Sequence, residues 1–145
     1  VLGEHGESQF VPWSIANISN IPVEQFRSSV LNDEPYPEFK APEVEEYVRK
    51  SGARVISRKG ATYYAVSMSV CHICRCLLSG IDTTLTVSTM LHGEYGIDDV
   101  AMSLLTVVGH NGAHSKVMLP LSDAEVWALH KSAESLKSII KQTKI

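Results

Sequence analysis

The chain has 145 residues, 44% apolar and 20% charged, with a formal net charge of −3; this is the length and balance of one globular domain, able to bury a core without disulfides or a structural metal. Scattered basic residues on an acidic chain argue against nucleic acid as the main partner. No apolar run reaches the roughly 20 residues of a bilayer span and the N-terminus lacks a signal-peptide pattern, so no membrane partner is expected and the cytoplasm is the default location.

The opening run Gly3-Glu4-His5-Gly6-Glu7-Ser8 reads as a loop in which glycines on either side of His5 permit a sharp turn and close approach of a ligand. An imidazole titrates near neutrality, so a positioned His5 can give or take a proton. Short apolar runs at Phe10–Ile18 and Ile21–Val23 predict two brief strands joined at Ser19-Asn20. The stretch 32–42 reads as a loop, and Pro42 fits a first helical turn. From Glu43, the apolar residues Val44, Tyr47, Val48, Val55 and Ile56 predict an amphipathic helix to about Ser57, with Gly52 either weakening it or marking a close contact.

Residues 62–79 carry Val66, Val70, Ile73, Cys74 and Leu77 at helical spacing, which predicts a second and more buried helix. Residues 84–91 and 100–108 read as strands flanking a turn at 93–99, and a third strand at 115–119 follows the Gly109-His110-Asn111-Gly112 turn, giving an antiparallel meander. Ser122 followed by Glu125 is a capping box opening a last helix whose apolar face is Val126, Leu129, Ala133, Leu136, Ile139 and Ile140, with Lys137, Lys141 and Lys144 toward its C-terminus. The expected class is α+β: a twisted, mainly antiparallel sheet packed against long helices.

Cys71, Cys74 and Cys76 with His72 look superficially like a metal cluster. They fall within a predicted helix, with no second ligand pair at finger-like spacing, so reduced, partly buried thiols and no metal site are expected. His92, His110, His114 and His130 sit in turns or on a solvated helix face and receive no role.

The series GEHGES (3–8), PWS (12–14), KGATYY (59–64), TVSTMLHGEYGI (86–97), VVGHNG (107–112) and LSDAE (121–125) resembles, over essentially the whole chain, the C-terminal, substrate-binding half of the L-lactate dehydrogenases of the lactate/malate dehydrogenase family. The resemblance implies that residues 1–145 are that domain and that the preceding Rossmann nucleotide-binding domain lies outside this chain. Neither G-x-G-x-x-G nor G-x-x-x-x-G-K-[ST] occurs here.

By the same resemblance, His5 is the general acid and base that protonates pyruvate as hydride arrives, Thr62 lines the substrate pocket, and Val66 contacts the nicotinamide ring of NAD. Thr62 also reads as a helix N-terminal hydroxyl, and Val66 as simple packing. The implied partners are a small 2-keto or 2-hydroxy acid and further copies of the chain, as a dimer or tetramer; the isolated domain is expected to be inactive. Thr62 argues against a malate dehydrogenase, whereas Ser8-Gln9-Phe10 and Trp13 are similar to L-2-hydroxyisocaproate dehydrogenases. A non-catalytic oligomerisation module is the reading from another class.

Overall fold

The structure, a computed structural model, describes residues 1–30 and 39–143. Lys144 and most of the expected 32–42 loop lie outside the described residues. The elements run β1 (Asn17–Ile18), β2 (Ile21–Pro22), α1 (Val23–Ser29), α2 (Ala41–Lys59), α3 (Tyr64–Leu78), β3 (Thr83–His92), β4 (Asp98–Gly109), β5 (Gly112–Lys116) and α4 (Asp123–Gln142). The class is α+β, with antiparallel sheets and helices.

The larger sheet is the antiparallel meander β3-β4-β5, with β4 central and Ser88 opposite Ser103 at mid-strand. Val100, Met102, Leu104, Thr106 and Val108 are buried at every second position of β4, while the residues between them are more open. That period of two turns one face toward α4, whose Leu129 and Ala133 meet Leu91, Ile97, Met102 and Leu104 in the core. Full burial of such a side chain contributes about 1.5–3 kcal/mol. The buried Thr106 hydroxyl donates to the Leu104 carbonyl at 3.0 Å, which removes the penalty of an unpaired polar group.

The expected β1–β2 turn forms with Ser19 and Asn20 both at positive φ, the geometry that matches the twist of a two-residue hairpin. The predicted strand over Phe10–Ile18 is mostly not one. Phe10 makes an isolated bridge to Leu2, and Trp13–Ile15 is a 3-10 turn. The cause is the Glu125 carboxylate at the start of α4, which accepts the Ser14 N–H at 2.9 Å and the Ser14 hydroxyl, as well as the Ser122 N–H at 2.8 Å of the capping box. Burial alone would raise the Glu125 pKa, but the hydrogen bonds from Ser14 and Ser122 outweigh it and the net shift is downward.

β5 starts at Gly112, three residues earlier than predicted, because the two-residue turn His110-Asn111 brings Gly112 directly opposite Gly109. Pro42 sits in the first turn of α2 as expected. A Cβ at Gly52 would meet nothing within 4 Å, so no close contact explains that glycine. The helix expected to be more buried, α3, is exposed except at Cys76, Ile73 and Leu77: it packs on β4 along a narrow strip, and no described element covers the rest of its apolar stripe. Cys71 and Cys74 are exposed free thiols, and Cys76 is a buried one. No described helix is long and apolar enough to cross a membrane.

The β3–β4 turn is held by Glu94, whose carboxylate accepts the His92 N–H at 2.6 Å and pairs with Lys116 of β5 at 3.1 Å. The His92 hydrogen bond, aided by Lys116, holds its pKa at about 2, below the ordinary 4.5. A carboxylate depressed on folding adds stability that is fully present above the unfolded-state pKa and lost as pH falls toward the folded one. Glu94→Gln should therefore cost stability at pH 7, by no more than about 1 kcal/mol given solvent screening at the surface. The gap from wild type should close as pH falls from about 4.5 to about 2 in urea titrations. A gap independent of pH would refute this account of the turn.

Candidate functional site

The Gly3–Ser8 run forms a closed loop laid across β4 and α4. Leu2 and Phe10 exchange backbone hydrogen bonds at 2.9 and 3.1 Å, closing its neck. Gly3 and Ser103 of β4 exchange another pair at 3.1 and 2.9 Å, which ties that neck to the middle of the central strand.

The loop body is held by α4. The buried Ser132 hydroxyl accepts the Glu4 N–H at 2.7 Å and lies 3.0 Å from the Ser8 hydroxyl. Glu4 turns its carboxylate back into the loop, where it accepts the Ser8 N–H at 3.0 Å and the Ser8 hydroxyl. Gly3 is required by two features: its φ is +95°, and a Cβ there would lie 2.7 Å from the Ser132 oxygen. A Cβ at Gly6 would press on the Glu4 carboxylate at 3.1–3.4 Å, so the second glycine leaves room for that acid.

His5 rides at the tip of this loop. Its imidazole is exposed, and among the described residues it has no hydrogen-bond partner. A ring on a backbone fixed from both sides, with free nitrogens, can transfer a proton to or from a bound ligand.

Thr62 lies just before α3 and Val66 in its first turn, both exposed. Thr62 does not cap the helix: α3 begins at Tyr64 with Tyr63 in the capping position and no side-chain capping bond. Because Thr62 precedes the helix, it and Val66 are not related by a helical turn. Among the described residues no hydrogen bond joins His5 to Thr62, so the chain presents these groups on separate elements, the loop on α4 and the entry to α3. Val66, 54% exposed, offers an apolar surface that no described element covers. Among the described residues no group of three or more His, Cys, Asp or Glu side chains could hold a metal.

Glu4, Ser8 and Ser132 escape a reading of motifs. The one signal was a serine on the apolar face of a helix, flanked by Leu129, Ala133 and Leu136. A buried hydroxyl there must find a partner on whatever packs against it.

The profile of the lactate/malate dehydrogenase alpha/beta C-terminal domain matches residues 1–145. The chain is 42% identical over 145 residues to an L-lactate dehydrogenase of Thermoanaerobacterium saccharolyticum, covering all of this chain and 46% of that protein. It superposes on the crystal structure of a lactate dehydrogenase from a Medee basin deep-sea metagenome library with a TM-score of 0.90 at 33% identity, covering 99% of this chain and 45% of the other. A malate dehydrogenase of Archaeoglobus fulgidus in complex with NADH gives a TM-score of 0.80 at 30% identity, covering 99% and 43%. The chain thus spans less than half the length of the relatives it matches.

Proposed function

Because the chain belongs to the lactate/malate dehydrogenase family through its alpha/beta C-terminal domain, we propose that it is the catalytic half of an L-lactate dehydrogenase, interconverting pyruvate and L-lactate with NAD(H). The observation that carries this reading is the loop bonded to Ser103 and Ser132, which presents an unengaged His5 imidazole.

Reduction of a ketone builds negative charge on its oxygen, and a protonated His5 beside that oxygen neutralises it by giving up its ring N–H proton. In the reverse direction the neutral ring takes the proton from the hydroxyl of lactate. General acid and base help of this kind contributes about 10²–10⁴-fold. Glu4, Ser8 and Ser132 position the loop and touch no reacting atom. Thr62 lines the substrate pocket, where its side chain suits a small 2-keto acid.

When bound, the reduced cofactor NADH supplies the hydride for reduction of the keto acid, and NAD⁺ accepts it back from the hydroxy acid. Of the residues present, Val66 fits the cofactor: an exposed apolar side chain is what one face of a nicotinamide ring packs on. The rest of the cofactor belongs to a Rossmann domain outside these 145 residues, since the chain holds no dinucleotide fingerprint. The protein works as a cytoplasmic homo-oligomer, a dimer or tetramer, for which Val44, Ile56, Tyr64 and Met68 on α2 and α3 supply exposed apolar surface. Its substrate is pyruvate rather than the bulkier 2-keto acids or the malate of its relatives, a choice supported by Thr62 and by the L-lactate dehydrogenase relative.

The test is a fusion of this chain behind the nucleotide-binding half of the Thermoanaerobacterium enzyme, assayed by NADH consumption. Pyruvate should be turned over in preference to oxaloacetate and 2-ketoisocaproate, while the chain alone should consume no NADH with any of them. A folded fusion that prefers oxaloacetate, or has no activity, would overturn the reading.

A further inference from the structure

Helix α3 carries three soft donors on one face. Met68, His72 and Cys76 follow one another at i,i+4 spacing, which stacks side chains turn above turn. The buried Cys76 Sγ lies 3.8 Å from Nε2 of His72. Met68 and His72 line, with Leu85 and Val87 of β3, a cavity of about 390 Å³.

Packing does not account for the set. Cys76 belongs to the strip of α3 that meets the sheet, but His72 is exposed and makes no other hydrogen bond among the described residues. A thiol behaves in a core as a small apolar group, so no imidazole is required to satisfy it. Met68 is 69% exposed and unbranched, so its sulfur can swing toward the imidazole. Of the exposed apolar residues on α2 and α3 that were assigned to self-association, it is the one that doubles as a soft ligand.

The 3.8 Å separation is close to what a shared ion asks for. With bonds of about 2.3 Å to sulfur and about 2.0 Å to imidazole nitrogen, a trigonal angle places the two donors about 3.7 Å apart. A structural zinc ion would need a second ligand pair, which the sequence lacks. Thiolate and thioether sulfur select copper(I) instead, a closed-shell ion content with two or three ligands. The helix has no carboxylate and one cation, Arg75, so it offers nothing to a hard ion and disfavours a doubly charged one.

We propose that Met68, His72 and Cys76 form a binding site for a soft monovalent cation, copper(I) or its silver(I) analogue. Binding replaces the Cys76 thiol proton by the cation, so the net charge of the site is unchanged, and the proton passes to water. The site is independent of the dehydrogenase reading, since none of the three residues has a role in proton or hydride transfer.

The test begins from Cys71→Ser/Cys74→Ser, which removes the exposed thiols that would capture copper(I) on their own. Titrated anaerobically with copper(I) against the chelator bicinchoninate, that chain should hold one ion, and X-ray absorption should show one nitrogen and two sulfur neighbours. His72→Ala changes an exposed position and should weaken binding by at least about tenfold, since even the outer-shell partners of metal ligands are worth that much. Met68→Leu conserves volume and should leave one sulfur neighbour. Failure to hold copper(I) against the chelator, displacement by equimolar zinc, or two sulfur neighbours after Met68→Leu would overturn the proposal. So would affinity indifferent to His72→Ala, which marks an adduct of the Cys76 thiol alone.

Discussion

His5→Gln, in the chain joined to a nucleotide-binding half, is expected to cut the rate of pyruvate reduction by at least about 100-fold while leaving folding and NADH binding nearly unchanged. Glutamine is polar and of similar length, so the loop keeps its shape, but an amide has no proton to deliver at neutral pH. The structure adds the reason folding should be spared: the His5 ring is exposed and makes no hydrogen bond among the described residues, so its removal breaks no internal contact. Single-turnover NADH oxidation reads the chemistry, and a thermal melt reads the fold. Turnover within a few-fold of wild type would remove His5 from the mechanism.

Gly3→Ala should be the more damaging change to stability, by about 2–5 kcal/mol. A left-handed backbone costs a residue bearing a Cβ roughly 1–2 kcal/mol, and overpacking a filled site costs about 1–3 kcal/mol more. Here the new methyl would lie 2.7 Å from the Ser132 oxygen and 3.3 Å from its Cβ. Ser132 cannot swing aside freely, because its hydroxyl accepts the Glu4 N–H. The two sources separate in a double-mutant cycle: in a Ser132→Ala background the oxygen clash is gone and the backbone strain remains, so Gly3→Ala should cost at least about 1 kcal/mol less there. Urea unfolding of the four proteins measures both terms, and a loss below about 0.5 kcal/mol in the Ser132 background of the natural chain would refute the account.

What could be read from the sequence was local in origin. The capping box at Ser122 and Glu125, the two-residue turn at Ser19-Asn20 and the β3–β4–β5 meander each depend on residues a few positions apart. The Phe10–Ile18 strand failed because Glu125, 111 residues from Ser14, bends that segment into a 3-10 turn. The expected burial of α3 failed for a related reason. Helical spacing of apolar residues shows that a face wants covering, not that an element within the same chain covers it. At the candidate site, His5 was legible as a motif, whereas Ser132, which fixes the loop from 128 positions away, became visible only when α4 was laid on the sheet.

The bonds by which α4 holds the loop also make a clock. The Glu4 amide proton is covered by a side-chain oxygen of a distant helix, and the Ser8 amide proton by the carboxylate of Glu4. Neither is held by a strand ladder, so deuterium should enter the Glu4 amide whenever α4 lifts from the loop, without unfolding of the meander. Exchange at that one position would then time the loosening of the histidine's mounting in a protein that is otherwise intact.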